Sequence, residues 1–342
     1  MTKRRTPKAK PRREERARGW FWWGSATLAA CCGGIVCVAR APAATASAAP
    51  SLALDAYVST YKIRARHPHD PSAFTQGLGI DEAGRMYESD GLYHRSRVRE
   101  VELETGSSTK SVPNAPKHFG EGLAFVGDRL LQLTWREGLM LEYDRASLEL
   151  LRTLPSPLGS DLEGWGLAET KSDAAQGALY ATDGSATLHV LDPASFETRR
   201  RMTVTDPALG DVPIHGLNEL EVVGDEVWAN VYPMRFHKAS ECVARIDPAT
   251  GHVRGWIDLH GLFADQSERV RAAPLNYVLN GIAEHDGRLY VTGKQWDWLY
   301  EISVEPTQLN ADHVRARCEL ALGASQARRV PNPHHKHKAP PH

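Results

Sequence analysis

What this chain has little of narrows its chemistry. Cysteine is scarce. Cys31, Cys32 and Cys37 fall ahead of Arg40, and the remainder of the chain keeps only Cys242 and Cys318. Two cysteines do not make a disulfide framework, although an oxidising compartment would let them pair. With no C-x-x-C, a thiolate zinc site finds no support. The H-E-x-x-H pair of zinc hydrolases is missing, as is any recognisable local Ser-His-Asp or Cys-His motif. Surplus positive charge is missing too. The net charge is −1, but residues 1–19 hold nine Lys or Arg against two Glu, and Arg40 adds one more. The rest therefore carries −9. A mildly acidic body argues against nucleic-acid binding, which calls for a basic face. Helical periodicity is weak almost throughout, and only Gly261–Ala272 reads as a short helix.

What is present begins with a leader over residues 1–50. A basic stretch from Lys3 to Arg18 precedes an uncharged run from Trp20 to Ala39. Small residues follow, Ala41-Pro42-Ala43 and Ala46-Ser47-Ala48. Export with cleavage after Ala48 is the leading reading, which places the mature chain in a periplasmic or extracellular setting. Two others stand beside it. Leu28-Ala29-Ala30-Cys31 fits a lipobox that would leave Cys31 lipid-bearing, and the uncharged run is long enough to remain as an anchor. Arg12-Arg13 resembles a twin-arginine signal, but Glu14 and Glu15 spoil the pattern. At the other end, residues 326–342 are rich in Pro, His and Lys and read as a disordered tail, although His334, His335 and His337 are metal-ligand types.

Between these ends, residues 51–325 repeat. Gln76-Gly77-Leu78, Glu121-Gly122-Leu123, Trp165-Gly166-Leu167, Asn218-Glu219-Leu220 and Asn280-Gly281-Ile282 start 45, 44, 53 and 62 residues apart. In four of the five, an alternating apolar strand, a Gly-Asp or Asp-Gly type turn and a second strand follow the motif. Third strands, each ending at a turn, read over Leu139–Asp144, Leu188–Pro193 and Val243–Pro248, and fourth strands at Arg199–Val204 and Val253–Leu259. Short strands of this kind bury both faces by stacking radially. The repeat therefore predicts an all-β, five-bladed β-propeller of four-stranded antiparallel blades. Tyr57–Arg64 reads as a strand that joins the last blade and closes the ring.

Glycine and leucine serve structure in every repeat, but the variable first residue does not need to. Gln76, Glu121, Trp165, Asn218 and Asn280 should converge on one mouth. Glu121 is two residues from Phe119, and Gln76 two from Phe74, so each polar group shares a strand face with an aromatic ring. A carboxylate among aromatics is poorly solvated, which raises its pKa towards the range a group that takes and returns a proton requires. Trp135, Trp165 and Tyr232 fall where they would add rings. Trp228 and Trp256 read as blade packing.

These residues carry a resemblance. The body resembles the plant-type glutaminyl cyclases (glutamine cyclotransferases) of plants and bacteria. It does so through Phe74-Thr75-Gln76-Gly77-Leu78, His118-Phe119-Gly120-Glu121-Gly122-Leu123, Glu163-Gly164-Trp165-Gly166-Leu167, Leu217-Asn218-Glu219-Leu220-Glu221, Val227-Trp228-Ala229-Asn230, Leu279-Asn280-Gly281-Ile282-Ala283 and Thr292-Gly293-Lys294, in the family's order. The resemblance implies a five-bladed propeller that converts N-terminal glutamine of peptides or proteins to pyroglutamate with release of ammonia; the proton transfers this needs call for no cofactor or metal, and a monomer is the default expectation. It implies that Glu121 is the catalytic acid/base and that Phe74, Gln76, Phe119, Trp135, Trp165, Asn218 and Lys294 form the substrate pocket. Tyr232 stands where the family usually has tryptophan, which keeps the ring and adds a hydroxyl. Two rivals remain open. Glu121, Asn218 and Asn280 also suit a calcium-dependent propeller hydrolase such as a lactonase, and propellers also serve as non-catalytic binding modules.

Overall fold

The computed structural model describes residues 55–170, 177–232 and 241–318, all within one unit spanning Ala48–His342. The leader with Cys31 and the tail with His334, His335 and His337 lie outside the described residues. Among those described, no helix is long and apolar enough to cross a membrane.

The chain opens with the long strand β1 (Val58–Pro68). Then come β2 (Thr75–Ile80), β3 (Met86–Asp90), β4 (Arg97–Val101) and β5 (Ser108–Pro113), one antiparallel sheet in sequential order. A second such sheet is β6 (Gly120–Val126), β7 (Arg129–Thr134), β8 (Leu139–Asp144) and β9 (Leu150–Pro155). A third is β10 (Leu167–Glu169), β11 (Leu179–Thr182), β12 (Thr187–Leu191) and β13 (Thr198–Thr203). After the two-residue strands β14 (Thr205–Asp206) and β15 (Val212–Pro213) come β16 (Leu217–Val223), β17 (Glu226–Val231), β18 (Cys242–Ile246) and β19 (Val253–Asp258). The last strands are β20 (Leu279–His285), β21 (Arg288–Gly293) and β22 (Trp298–Pro306).

The sequence expects five separate four-stranded units; the structure is all-β but groups them differently. Three stand as separate sheets. The last two are joined in one mixed eight-stranded sheet, in the order β16-β17-β18-β19-β1-β22-β21-β20. The cause is the length of β1. It pairs antiparallel with β22 from Ser59 to Pro68, as a strand joining the last unit should. Its first residues run on to meet β19 in parallel, Val58 opposite Trp256 and Ser59 opposite Ile257. The helix expected over Gly261–Ala272 is one turn, α1 (Glu268–Arg271), and a second helix not expected from the sequence, α2 (Ala311–Arg317), follows β22. Cys242 and Cys318 are disulfide-bonded, which ties the residue after α2 to β18.

The first strand of each unit lies innermost. β2 packs against β6, β6 against β10, β10 against β16, β16 against β20, and β20 returns to β2. These strands approach so closely that a side chain at the motif glycine would collide with its neighbour. A Cβ on Gly122 would lie 2.5 Å from the Leu167 nitrogen. The fourth motif breaks the pattern with Glu219, which is buried among these strands. Its carboxylate accepts the backbone N–H of Leu78 at 3.3 Å and of Ile282 at 2.9 Å, bridging β2 and β20.

Four of these strands also slip register at the motif itself, between Thr75 and Gly77, Gly120 and Leu123, Leu217 and Leu220, and Leu279 and Ile282. A bulge lifts one residue off the ladder and re-aims its side chain, at the cost of unpaired backbone. Neighbouring units supply the missing partners. Ser89 Oγ donates to the Glu121 carbonyl. Thr182 Oγ1 donates to the Asn218 carbonyl at 2.9 Å, and Asn280 Nδ2 to the Thr75 carbonyl at 3.0 Å. Asn230 Oδ1 accepts the Gly281 N–H at 2.9 Å.

Candidate active site

The bulges of β2 and β6 bring Gln76 and Glu121 together. Both are buried, and Gln76 Nε2 donates to Glu121 Oε1 at 2.9 Å. Phe74, Phe119 and Trp135 form a buried aromatic cluster beside them, with Leu92 and Trp165 packed against it. Phe119 meets Phe74 edge-on at 6.2 Å and Trp135 at 5.3 Å between ring centres. Gly91 makes room for this, since a Cβ there would lie 2.5 Å from the Phe119 ring and 2.9 Å from Gln76 Cγ. Tyr232, immediately after β17, meets Trp165 edge-on at 5.7 Å.

Lys294 follows β21 and is also buried. Its Nζ lies 5.0 Å from the centre of the Phe74 ring and 5.3 Å from that of Tyr232. Among the described residues no carboxylate lies within ion-pair reach of it, so ring faces hold the ammonium. The two charges of the pocket are therefore both poorly solvated. Burial pushes the Glu121 carboxyl well above the usual carboxylate range; Lys294 opposes this, while Glu163 and Glu137 reinforce it. Burial likewise pushes Lys294 down to about 8, against the pull of Glu121. A carboxyl raised and an amine lowered in one pocket are two groups able to exchange protons near neutral pH.

Of the residues singled out from the sequence, Glu121, Gln76, Phe74, Phe119, Trp135 and Trp165 share one cluster, and Lys294 and Tyr232 join it through their rings and charge. Asn218 is buried in the β16 bulge, with Oδ1 unpartnered among the described residues. No shared strand face is needed to bring Phe74 to Gln76, because Phe74 precedes β2 and the bulge interrupts the alternation.

Sequence reasoning assigned no role to Glu163, which organises the aromatic wall. Its Oε2 accepts the indole N–H of Trp135 at 2.9 Å and of Trp165 at 3.1 Å. Its Oε1 accepts Arg136 Nε and Nη2, each at 2.7 Å. The Arg136 guanidinium in turn lies 3.8 Å over the Trp135 ring. Tyr93 and Glu137 were also missed. The Tyr93 hydroxyl donates to Glu137 at 2.9 Å, and its ring packs on Phe119 at 5.4 Å. Their signal in the sequence is weak, since neither stands in a repeated motif.

Comparison with known proteins places the chain. The sequence model of the glutamine cyclotransferase family matches residues 34–304. The chain belongs to that family. It is 35% identical over 282 residues to the glutaminyl-peptide cyclotransferase of Arabidopsis thaliana, covering 80% of each chain. It is similar in structure to the glutaminyl cyclase of Myxococcus xanthus, with a TM-score of 0.63 and 32% identity over 74% of this chain and all of that one.

Proposed function

We propose that this chain is a glutaminyl-peptide cyclotransferase that closes the N-terminal glutamine of a peptide or protein into pyroglutamate and releases ammonia, with Glu121 as its acid/base. Family membership supports the reaction class. The observation that carries the residue assignment is the Glu121 carboxylate, buried beside aromatic rings, hydrogen-bonded to Gln76 and in the field of Lys294. The neutral α-amine attacks the γ-carbonyl carbon of its own side chain, and a C–N bond forms. Glu121 accepts a proton from that nitrogen. It returns the proton to the side-chain nitrogen, and the C–N bond of the tetrahedral intermediate breaks to give the lactam and NH3. One carboxyl serves both transfers in turn, so the step balances without a cofactor. The second N–H of Gln76, the Lys294 ammonium and the Asn218 amide are donors for the carbonyl oxygen as it becomes negative. Phe74, Phe119, Trp135, Trp165 and Tyr232 hold the flexible side chain folded for an intramolecular attack.

The same reading takes the sheets as a five-bladed propeller. The cyclic packing of β2, β6, β10, β16 and β20 supports it, with β1 completing the last blade. It also takes residues 1–50 as an export leader, and the Cys242–Cys318 disulfide supports an oxidising compartment.

The test is ammonia release from a Gln-initiated dipeptide, with and without EDTA, beside Glu121→Gln. Release that survives chelator and disappears in the variant supports the cyclase. Absence of release by folded protein overturns it, and complete loss in chelator points to a calcium hydrolase.

A further inference from the structure

A buried amide can face either way, so something must decide which end of Gln76 meets Glu121. We propose that Asn280 does so: it is a positioning residue that holds the Gln76 amide with its NH2 towards Glu121, leaving the second N–H of that group for the substrate's carbonyl oxygen. This role rests on the cyclase reading above.

The orientation is anchored on backbone. The Thr75 carbonyl can only accept, so the group of Asn280 facing it at 3.0 Å is Nδ2. The same Nδ2 has one more hydrogen, and Gln76 Oε1 lies 3.2 Å away to accept it. With its oxygen engaged there, Gln76 presents Nε2 to Glu121 Oε1 at 2.9 Å. A chain of three polar contacts thus runs from one carbonyl on the β2 bulge to the carboxylate. Reversing Gln76 would set amide oxygen against carboxylate oxygen and lose both contacts. Asn280 is fully buried, yet its Oδ1 has no hydrogen-bond partner among the described residues. A purely structural amide would use both ends; here both donors are used and the acceptor is left over, which marks the donors as what the position requires.

Glu121 sits in the field of Lys294 beyond β21, Glu163 between the second and third sheets, Glu137 in the β7–β8 connection, the Tyr93 hydroxyl between β3 and β4, and the Tyr232 hydroxyl beyond β17. None of these contacts Gln76 Oε1 in the hydrogen bonds described, so Asn280 is the donor that engages this oxygen, and the Glu121 carboxylate favours the same orientation from the other end.

The experiment is a double-mutant cycle between Asn280→Ser and Gln76→Ala, each confirmed as folded by its thermal melt. Serine retains a hydroxyl for the Thr75 carbonyl, so the bulge keeps a partner while Gln76 loses its guide. Two readouts are taken: kcat for ammonia release from a Gln dipeptide, and the titration of the 13C-labelled Glu121 carboxyl by NMR, which needs no turnover. Each single variant is expected to lower kcat about tenfold to hundredfold, with KM nearly unchanged, and to move the Glu121 titration upward, since a donor to the ionised form is lost. Asn280→Ser in the Gln76→Ala background should add nothing in either readout. Additive losses, or a Glu121 titration that Asn280→Ser leaves in place, overturn the role while leaving a cyclase that releases ammonia intact. Coupled titrations in a protein that releases no ammonia would instead uphold the role and sink the cyclase reading.

Discussion

Two buried charge clusters in this molecule are treated in opposite ways. In the first sheet, Arg99 is fully buried between Glu88, Asp90 and Asp70, with contacts of 2.5 Å to Glu88 and 2.8 Å to Asp70. His69 adds a contact to Glu88 at 3.1 Å, and Thr75 Oγ1 another at 2.6 Å. Burial pushes Glu88 up, but Arg99 and His69 overcome it and hold the carboxyl well below its usual range. Next door, the Glu121 carboxylate has one hydrogen bond and no ion pair among the described residues, and burial wins. Desolvation is similar in both places; what differs is the number of partners. The rule holds even inside the first cluster, where Asp90, one of whose oxygens has no hydrogen-bond partner among the described residues, is pushed up. A saturated cluster freezes its charges and serves the fold, and an unsaturated one leaves its protons mobile and serves chemistry. The two are adjacent: Glu88 grips Thr75, and the next residue is Gln76.

The comparison breaks most visibly through Glu121→Gln. An ion that gains little from its surroundings costs the fold little when neutralised, so turnover should fall about 10²–10⁴-fold while the thermal midpoint drops by no more than the experimental scatter. A large loss of stability would show that Glu121 belongs with the structural carboxylates. Arg99→Met should do the reverse. It strands Glu88 and Asp90 without their shared cation, and a buried pair broken on one side costs about 3–5 kcal/mol, read from urea denaturation. A loss under about 1 kcal/mol would mean that water or relaxation replaces the guanidinium. Glu163→Gln lies between. All four acceptor sites of Glu163 are used, so the variant must turn an NH2 towards either the indoles or Arg136. KM for a Gln dipeptide should rise about tenfold with a smaller change in kcat, because the wall and not the acid/base is disturbed. The Trp135 and Trp165 emission should shift, and an unchanged spectrum with unchanged KM would refute the wall's dependence on this carboxylate.

How much of this was legible follows from what each residue does. The repeat was readable because its glycines answer to a local geometric demand, a neighbouring strand too close for a Cβ, as at Gly122. The ends of strands were readable because alternation and turns are local. The fusion of the last two units was not, since it depends on how far β1 runs past its partner to meet Trp256. In the site, residues at repeated positions stood out, including Gln76 and Glu121. The bulges that aim them did not, because each is held by a side chain from another unit, such as Ser89, Thr182 or Asn230. Glu163 and Arg99 depend in part on partners 27 to 29 residues away, Trp135 and Arg136 for the first and Asp70 for the second, which no local pattern links to them. Glu219 stood in plain sight as the odd member of the Gly positions, but only the packing of β2 and β20 against β16 gives its carboxylate donors to meet.

The smallest effect concerns Lys294, and its sign is specific. Its pKa is pushed from the usual lysine range down to about 8, so the folded protein gives up this proton well before the unfolded chain does. Between about pH 8 and the unfolded value near 10.5 the unfolded state binds more protons, and stability gains from this group as pH rises through that window. Below it the buried ammonium is a standing cost, so Lys294→Met should melt slightly higher than the wild type at pH 7. Activity runs the other way. If the ammonium stabilises the oxyanion, kcat measured at saturating Gln dipeptide should decline as pH rises through about 8. The declining limb should vanish in Lys294→Met, leaving a lower plateau. Measuring kcat and not kcat/KM keeps the titration of the free substrate amine out of the profile. An alkaline limb that persists in Lys294→Met would assign it to another group and move Lys294 from the chemistry to the packing of Phe74 and Tyr232.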